Sequence, residues 1–108
     1  MNAKIKKLWV KALRSGKYKQ GKTKLHYGNQ NGSKYCCLGV LSDLAVKNGV
    51  CSRKKAFERN ETLNIPVCVW AGLDCDRNPV VNGNRISIFN DKKNFNFRQI
   101  ADLIEKNL

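Results

Sequence analysis

The sequence predicts a small α+β domain: an N-terminal amphipathic helix, two β-hairpins, and central and C-terminal helices. Three observations carry that prediction. Apolar residues recur at helical spacing near both ends of the chain and again after Cys37. Glycine- and asparagine-rich turns interrupt β-favourable stretches around residues 24–36 and 79–88. Strands and long crossover helices do not alternate regularly, which argues against a parallel sheet. With 108 residues, 42% of them hydrophobic, residues 1–108 suit one domain with one modest core.

Asn2 is placed to cap a helix running to about Ser15. Ile5, Leu8, Trp9, Ala12 and Leu13 share one face of it, and Lys4, Lys7, Lys11 and Arg14 share the other. Gly16 suits the position just past its end. An irregular basic segment follows. Residues 24–27 (KLHY) and 33–36 (SKYC) are then expected to pair across the turn Gly28 to Gly32. CLGVLSDLAVKNG reads as a second helix with Leu38, Leu41, Leu44 and Ala45 on its apolar side, ending at Gly49. Residues 50–64 have weak periodicity and read as loop with one helical turn. Pro66 suits the first turn of a short helix, PVCVWAG. Asn82-Gly83 is a two-residue hairpin signal between PVV and NRISI. Asn96 with Gln99 three residues on forms a capping box for the last helix. Phe97, Ile100, Ala101, Ile104 and Leu108 line that helix's buried side.

The formal charge is +13, and it is unevenly spread. Residues 1–42 hold ten lysines and arginines and no acid, and Asp43 is the first acidic residue. A field of this sign favours anionic partners. The lysine stripe of the first helix also costs stability, because like charges at this spacing repel and first-turn cations oppose the helix dipole. No run of about 18 apolar residues is present to span a membrane. The lysine-bearing N-terminus lacks the apolar run of a signal peptide. A soluble, intracellular protein is expected.

Residues 16–23, GKYKQGKT, match the phosphate-loop pattern G-x-x-x-x-G-K-[ST]. That loop must follow a buried strand and open a helix, so that backbone N–H groups and the helix dipole cradle phosphate. Here it follows a helix and leads into KLHYG. The lysines remain able to meet phosphate as point charges, with Gly16 and Gly21 lending flexibility. Tyr18, Tyr27 and Tyr35 are interleaved with Lys17, Lys19, Lys24 and Lys34, and rings beside cations are how single strands are held without sequence preference. The candidate anion-binding set is therefore Lys4, Lys7, Lys11, Arg14, Lys17, Tyr18, Lys19, Lys22, Lys24, Tyr27 and Lys34.

Other chemistry finds little support. Cysteines at 36, 37, 51, 68 and 75 are odd in number and lack zinc-type spacing. A Cys36–His26 pair across the hairpin lacks a third member to orient it. Asp74, Asp76 and Asp91 read as turn or cap residues, and His26 as a surface strand residue. The final helix has no recognition helix after it. No metal, cofactor or catalytic residue is predicted.

Lys34 to Leu44 read KYCCLGVLSDL. This block resembles a family of short phage and prophage proteins. So do Leu8 to Gly21 (LWVKALRSGKYKQG), Val69 to Asp74 (VWAGLD), Asn78 to Gly83 (NPVVNG) and Asn90 to Glu105. Ser42, where the family pattern has another cysteine, the strongly basic loop, and Cys51, Cys68 and Cys75 depart from it. The resemblance brings no activity and no catalytic residues. It implies a phage accessory protein acting in the cytoplasm of the infected bacterial host, for host takeover or counter-defence. The leading expectation is a non-enzymatic module that binds nucleic acid, a nucleotide or a host nucleoprotein complex. A protein–protein inhibitor of a host enzyme is the alternative. A small nuclease or nucleotide hydrolase is the remote one.

Overall fold

A computed structural model describes residues 1–28 and 32–108. The chain runs α1 (Ala3–Arg14), β1 (His26–Tyr27), β2 (Lys34–Tyr35), α2 (Cys37–Lys47), α3 (Arg53–Ala56), α4 (Ile65–Ala71), β3 (Val80–Val81), β4 (Asn84–Arg85), α5 (Ile86–Asp91) and α6 (Phe97–Asn107). It is an α+β domain, with six helices and two short antiparallel two-stranded sheets among the described residues.

The terminal helices follow from local signals. Asn2 Oδ1 accepts from Ile5 N at 3.1 Å and caps α1. Asn96 and Gln99 form both bonds of the capping box of α6. These two helices pack together more extensively than any other pair. Ile5, Trp9, Val10 and Leu13 face inward from α1, and Phe97, Ile100, Ala101 and Ile104 from α6. Val10 is buried and Leu8 only half-buried, so α1 is rotated toward α6 relative to the expected face.

Helix α2 runs through the middle and touches α1, α3, α4 and α5. Cys37, Leu38, Gly39, Val40, Leu41, Ser42, Asp43 and Ala45 are all buried. It is covered on nearly every side, whereas its sequence suggested one apolar face. Trp9 is fully buried, and its Nε1–H donates to Cys37 O at 2.9 Å. The ring therefore enters the core without an orphaned donor. Gly39 faces the backbone of Leu25. A Cβ there would stand 2.6 Å from the Leu25 carbonyl carbon and closer to its oxygen.

The first hairpin pairs His26 with Tyr35 and Tyr27 with Lys34. The middle of its expected turn, residues 29–31, lies outside the described residues. Its strands are shorter than expected because Leu25 and Cys36 dive into the core, joined by Cys36 N to Leu25 O at 3.2 Å. Asn82 and Gly83 both have positive φ, 47° and 84°, as a type I′ turn requires. The second arm of that hairpin, expected to continue through NRISI, stops at Arg85. Ile86 opens α5 instead, because Ile86, Phe89 and Asn90 at helical spacing reach the core. The single turn expected in residues 50–64 is α3, capped by Ser52.

Five cysteines are free: Cys36, Cys37 and Cys68 are buried, Cys51 is half-buried and Cys75 is exposed. Burial pushes the Cys36 thiol up to about 11 and the Cys37 thiol well above its ordinary range.

Inside a helix, glycine to alanine ordinarily stabilises by about 1 kcal/mol. Gly39→Ala is expected to do the opposite, costing about 3 kcal/mol in urea unfolding, because the methyl meets backbone. Gly32→Ala, which meets nothing within 4 Å, is expected to change stability by less than about 0.5 kcal/mol.

Candidate functional site

The predicted anion-binding residues fall on two adjoining surfaces. Lys4, Lys7 and Lys11 form an exposed ridge along α1. Arg14 belongs to the same helix but is engaged. Its guanidinium donates to Asp102 Oδ1 at 2.6 Å and to both carboxylate oxygens of Glu105 at 3.1 Å. These hydrogen bonds raise the Arg14 pKa further and lower that of Glu105. Arg14 thus ties α1 to α6, and its charge is already met.

The ridge has a groove on each flank. Toward α6, a groove of about 720 Å³ is lined by Ala3, Lys6, Lys7, Val10, Lys11, Arg14, Ser15 and Glu105. Toward α2, a smaller one of about 210 Å³ is lined by Leu8, Lys11, Ala12, Ser15, Lys17, Tyr18, Leu44 and Lys47.

The second surface is the GKYKQGKT segment. It lies alongside β2, with Tyr35 N donating to Lys19 O at 2.9 Å and Gly21 N to Tyr35 O at 2.7 Å. Gly21 is buried, and the Tyr27 ring and Lys34 occupy the space a side chain would need. Close packing, rather than the flexibility expected, explains this glycine. Asn90, fully buried on α5, donates to Gly21 O at 2.8 Å and accepts from Gln20 Nε2 at 2.9 Å. Thr23 has φ of 73°, strained for a β-branched residue. Its N–H donates to Asp91 Oδ1 at 2.8 Å. A carboxylate therefore sits where a phosphate loop presents a free amide. Asn90 and Asp91, the latter expected to be a turn or cap residue, are the posts that hold this segment.

Lys17, Lys19, Lys22, Lys24 and Lys34 project from this frame, and all are exposed. Lys22 Nζ donates to Asn94 Oδ1. Tyr27 is exposed, and its hydroxyl accepts from Lys22 N at 3.4 Å. Tyr18 is turned inward. Its ring meets Tyr35 edge-on at 5.1 Å, Lys47 Nζ lies 5.3 Å from its centre, and its hydroxyl donates to Asp43. The ring is half-buried between these neighbours and also lines the groove toward α2. Burial, then the Asp43 bond, pushes the Tyr18 hydroxyl up to about 12, so it stays a donor.

Asp43 is the centre of a cluster that the sequence did not suggest. It is nearly buried and accepts from Arg53 Nη1 at 2.9 Å, with Lys47 Nζ at 3.1 Å. Burial alone would raise its pKa, but hydrogen bonds from Tyr18, Lys47 and Arg53 outweigh burial and hold it low. Arg53 also donates to Tyr35 Oη at 3.1 Å and lies 4.6 Å from the Phe57 ring centre. His26, expected at the surface, is half-buried with its ring 4.8 Å from Tyr35 and 5.9 Å from Phe57. It pairs with Tyr35 in the hairpin, and Cys36 lies beyond that pair in the core. Among the described residues no three His, Cys, Asp or Glu side chains group closely enough to hold a metal. No helix among them is long and apolar enough to cross a membrane.

The chain belongs to the domain family DUF8296, a domain of unknown function, whose family model matches residues 1–108. No curated protein and no solved structure gives a significant match.

Two predictions follow the Asp43 cluster. Asp43→Ala strips three donors of their shared acceptor and is expected to cost about 2 kcal/mol in urea unfolding. Burial, and then Arg53, lower the His26 pKa below 6.5. The unfolded chain therefore takes up this proton first as pH falls. Stability contributed by neutral His26 is complete above about pH 6.5 and declines below it. Thermal unfolding between pH 7 and 5 is expected to show this decline, and His26→Gln to flatten it.

Proposed function

We propose that this DUF8296 domain is a phage accessory protein: a non-enzymatic module that grips an anionic partner, foremost nucleic acid or a host nucleoprotein complex, with its lysine face. One observation carries the reading. Lys4, Lys7, Lys11, Lys17, Lys19, Lys22, Lys24 and Lys34 are all exposed, and among the described residues none has a carboxylate oxygen within 4.0 Å of its ammonium. The acids are placed elsewhere. Asp43, Asp102, Glu105 and Asp76 meet arginines, and Asp91 holds the Thr23 amide. Helix α1 has no acid in its first turn to offset the lysines, so the ridge works against the helix dipole. Mobile ammonium groups on a rigid frame suit phosphates whose positions vary along a strand. Tyr27 is the exposed ring beside them for a base to stack on. The setting is the cytoplasm of the infected host, where DNA, RNA and defence nucleoproteins are the abundant polyanions.

Fluorescence anisotropy against single-stranded DNA, duplex DNA and RNA oligonucleotides, at several salt concentrations, tests this. Binding is expected to weaken steeply with salt, with a log–log slope of about −0.9 per phosphate contact on duplex DNA. Replacing Lys17, Lys19, Lys22 and Lys24 with alanine is expected to reduce affinity at least about tenfold and make the slope shallower. Absence of binding at low salt would remove nucleic acid as the partner.

A further inference from the structure

We infer that the groove between the α1 ridge and α6 is a docking site for an acidic amphipathic helix of a partner protein. The inference goes beyond the nucleic-acid reading and stands whether or not the 16–24 segment binds a strand. Its basis is the shape and chemistry of this one furrow.

The lining residues Ala3, Lys6, Lys7, Val10 and Arg14 recur three and four apart, so the groove follows one stripe of α1. From Ala3 to Ser15 that stripe is about 18 Å long at 1.5 Å per residue. An extended furrow of this length accepts some three turns of a helix laid alongside, the geometry by which helices are read through anchors at i, i+3, i+4 and i+7. The floor is apolar: Ala3, the edge of Val10 and the aliphatic stems of the lysines. The rim is cationic. Lys6, Lys7 and Lys11 have no ion-pair partner among the described residues, while Arg14 and Glu105 neutralise one another at the far end.

That combination selects the occupant. An apolar floor adds nothing for a phosphate backbone, but it takes the leucine-like side of a helix. Lysines on the rim then meet glutamates or aspartates flanking that side. A second copy of this chain is disfavoured, because it would bring two lysine ridges together.

The test uses the full ¹⁵N-labelled chain and a synthetic helix-forming peptide with leucines at i, i+3, i+4 and i+7 and glutamates elsewhere. A glutamate-only peptide and a DNA duplex serve as comparison probes. Amide shifts are expected along α1 and around Glu105, with a dissociation constant on the order of 10 μM. The glutamate-only peptide is expected to bind at least about tenfold more weakly. Ala3→Glu and Lys7→Glu, both at exposed positions, are expected to weaken the leucine peptide about tenfold each without lowering the thermal midpoint. Should Ala3→Glu unfold the chain, Lys7→Gln provides the same readout. Lys19→Ala with Lys24→Ala is expected to leave peptide binding unchanged and to weaken only the duplex. Two results would overturn the inference: no shifts along α1, or equal binding of the glutamate-only peptide.

Discussion

The fold depends on the carbonyl of Leu25 lying against Gly39. Helix α2 is buried on nearly all sides, so whatever packs on it must approach closely, and at Gly39 the approaching group is backbone rather than side chain. Leu25 is itself in the core, its amide bonded to Asn60 O at 2.6 Å and its carbonyl to Cys36 N. Through this one residue the basic segment, the start of α2 and the loop after α3 are held together. The block KYCCLGVL then makes physical sense: Tyr35 pairs outward, two small thiols and Leu38 fill the core, and the glycine admits the Leu25 carbonyl.

Around that centre most of the fixed ion pairs use arginine, with Lys47 joining Arg53 at Asp43 and Lys55 meeting Glu58. Arginines make the fixed contacts: Arg14 bridges α1 to α6, Arg53 joins Asp43 to Tyr35 and Phe57, and Arg85 pairs with Asp76 at 3.0 Å. The planar guanidinium fork loses little freedom when it holds several acceptors at once. Of the lysines in residues 1–34, Lys6 is half-buried and Lys22 bonds Asn94, and the others are exposed. The frame of the basic segment is built from Gln20, Asn90, Asp91 and backbone, so apart from Lys22 bonding Asn94 it does not draw on the lysines it presents.

Much of the fold was legible in the sequence because its determinants are local. The Asn2 and Asn96 caps, the Asn82-Gly83 turn and the stripes of α1 and α6 each lie within a few residues. The Asp43 cluster was not legible for two reasons. Periodicity is silent on a helix buried all round, so Asp43 did not stand out as an inward charge. Its partner Arg53 sits in a stretch whose pattern is weak. Asp91 and Thr23 are 68 residues apart, and nothing in either neighbourhood names the other. Of the proposed site, the lysines were visible as composition. The inward contacts of Tyr18 and the engagement of Arg14 needed the tertiary arrangement.

The distribution of thiols gives the molecule a built-in clock. Cys75 lies at the surface, while Cys37 is wholly enclosed beside the carbonyl that receives Trp9. An alkylating reagent meets the first in the native state, and it meets the second only when the core around α2 opens. The two modification rates, read by mass on the unaltered chain, therefore separate surface chemistry from the opening of the core. A ligand that clamps α1 would slow the second and leave the first untouched.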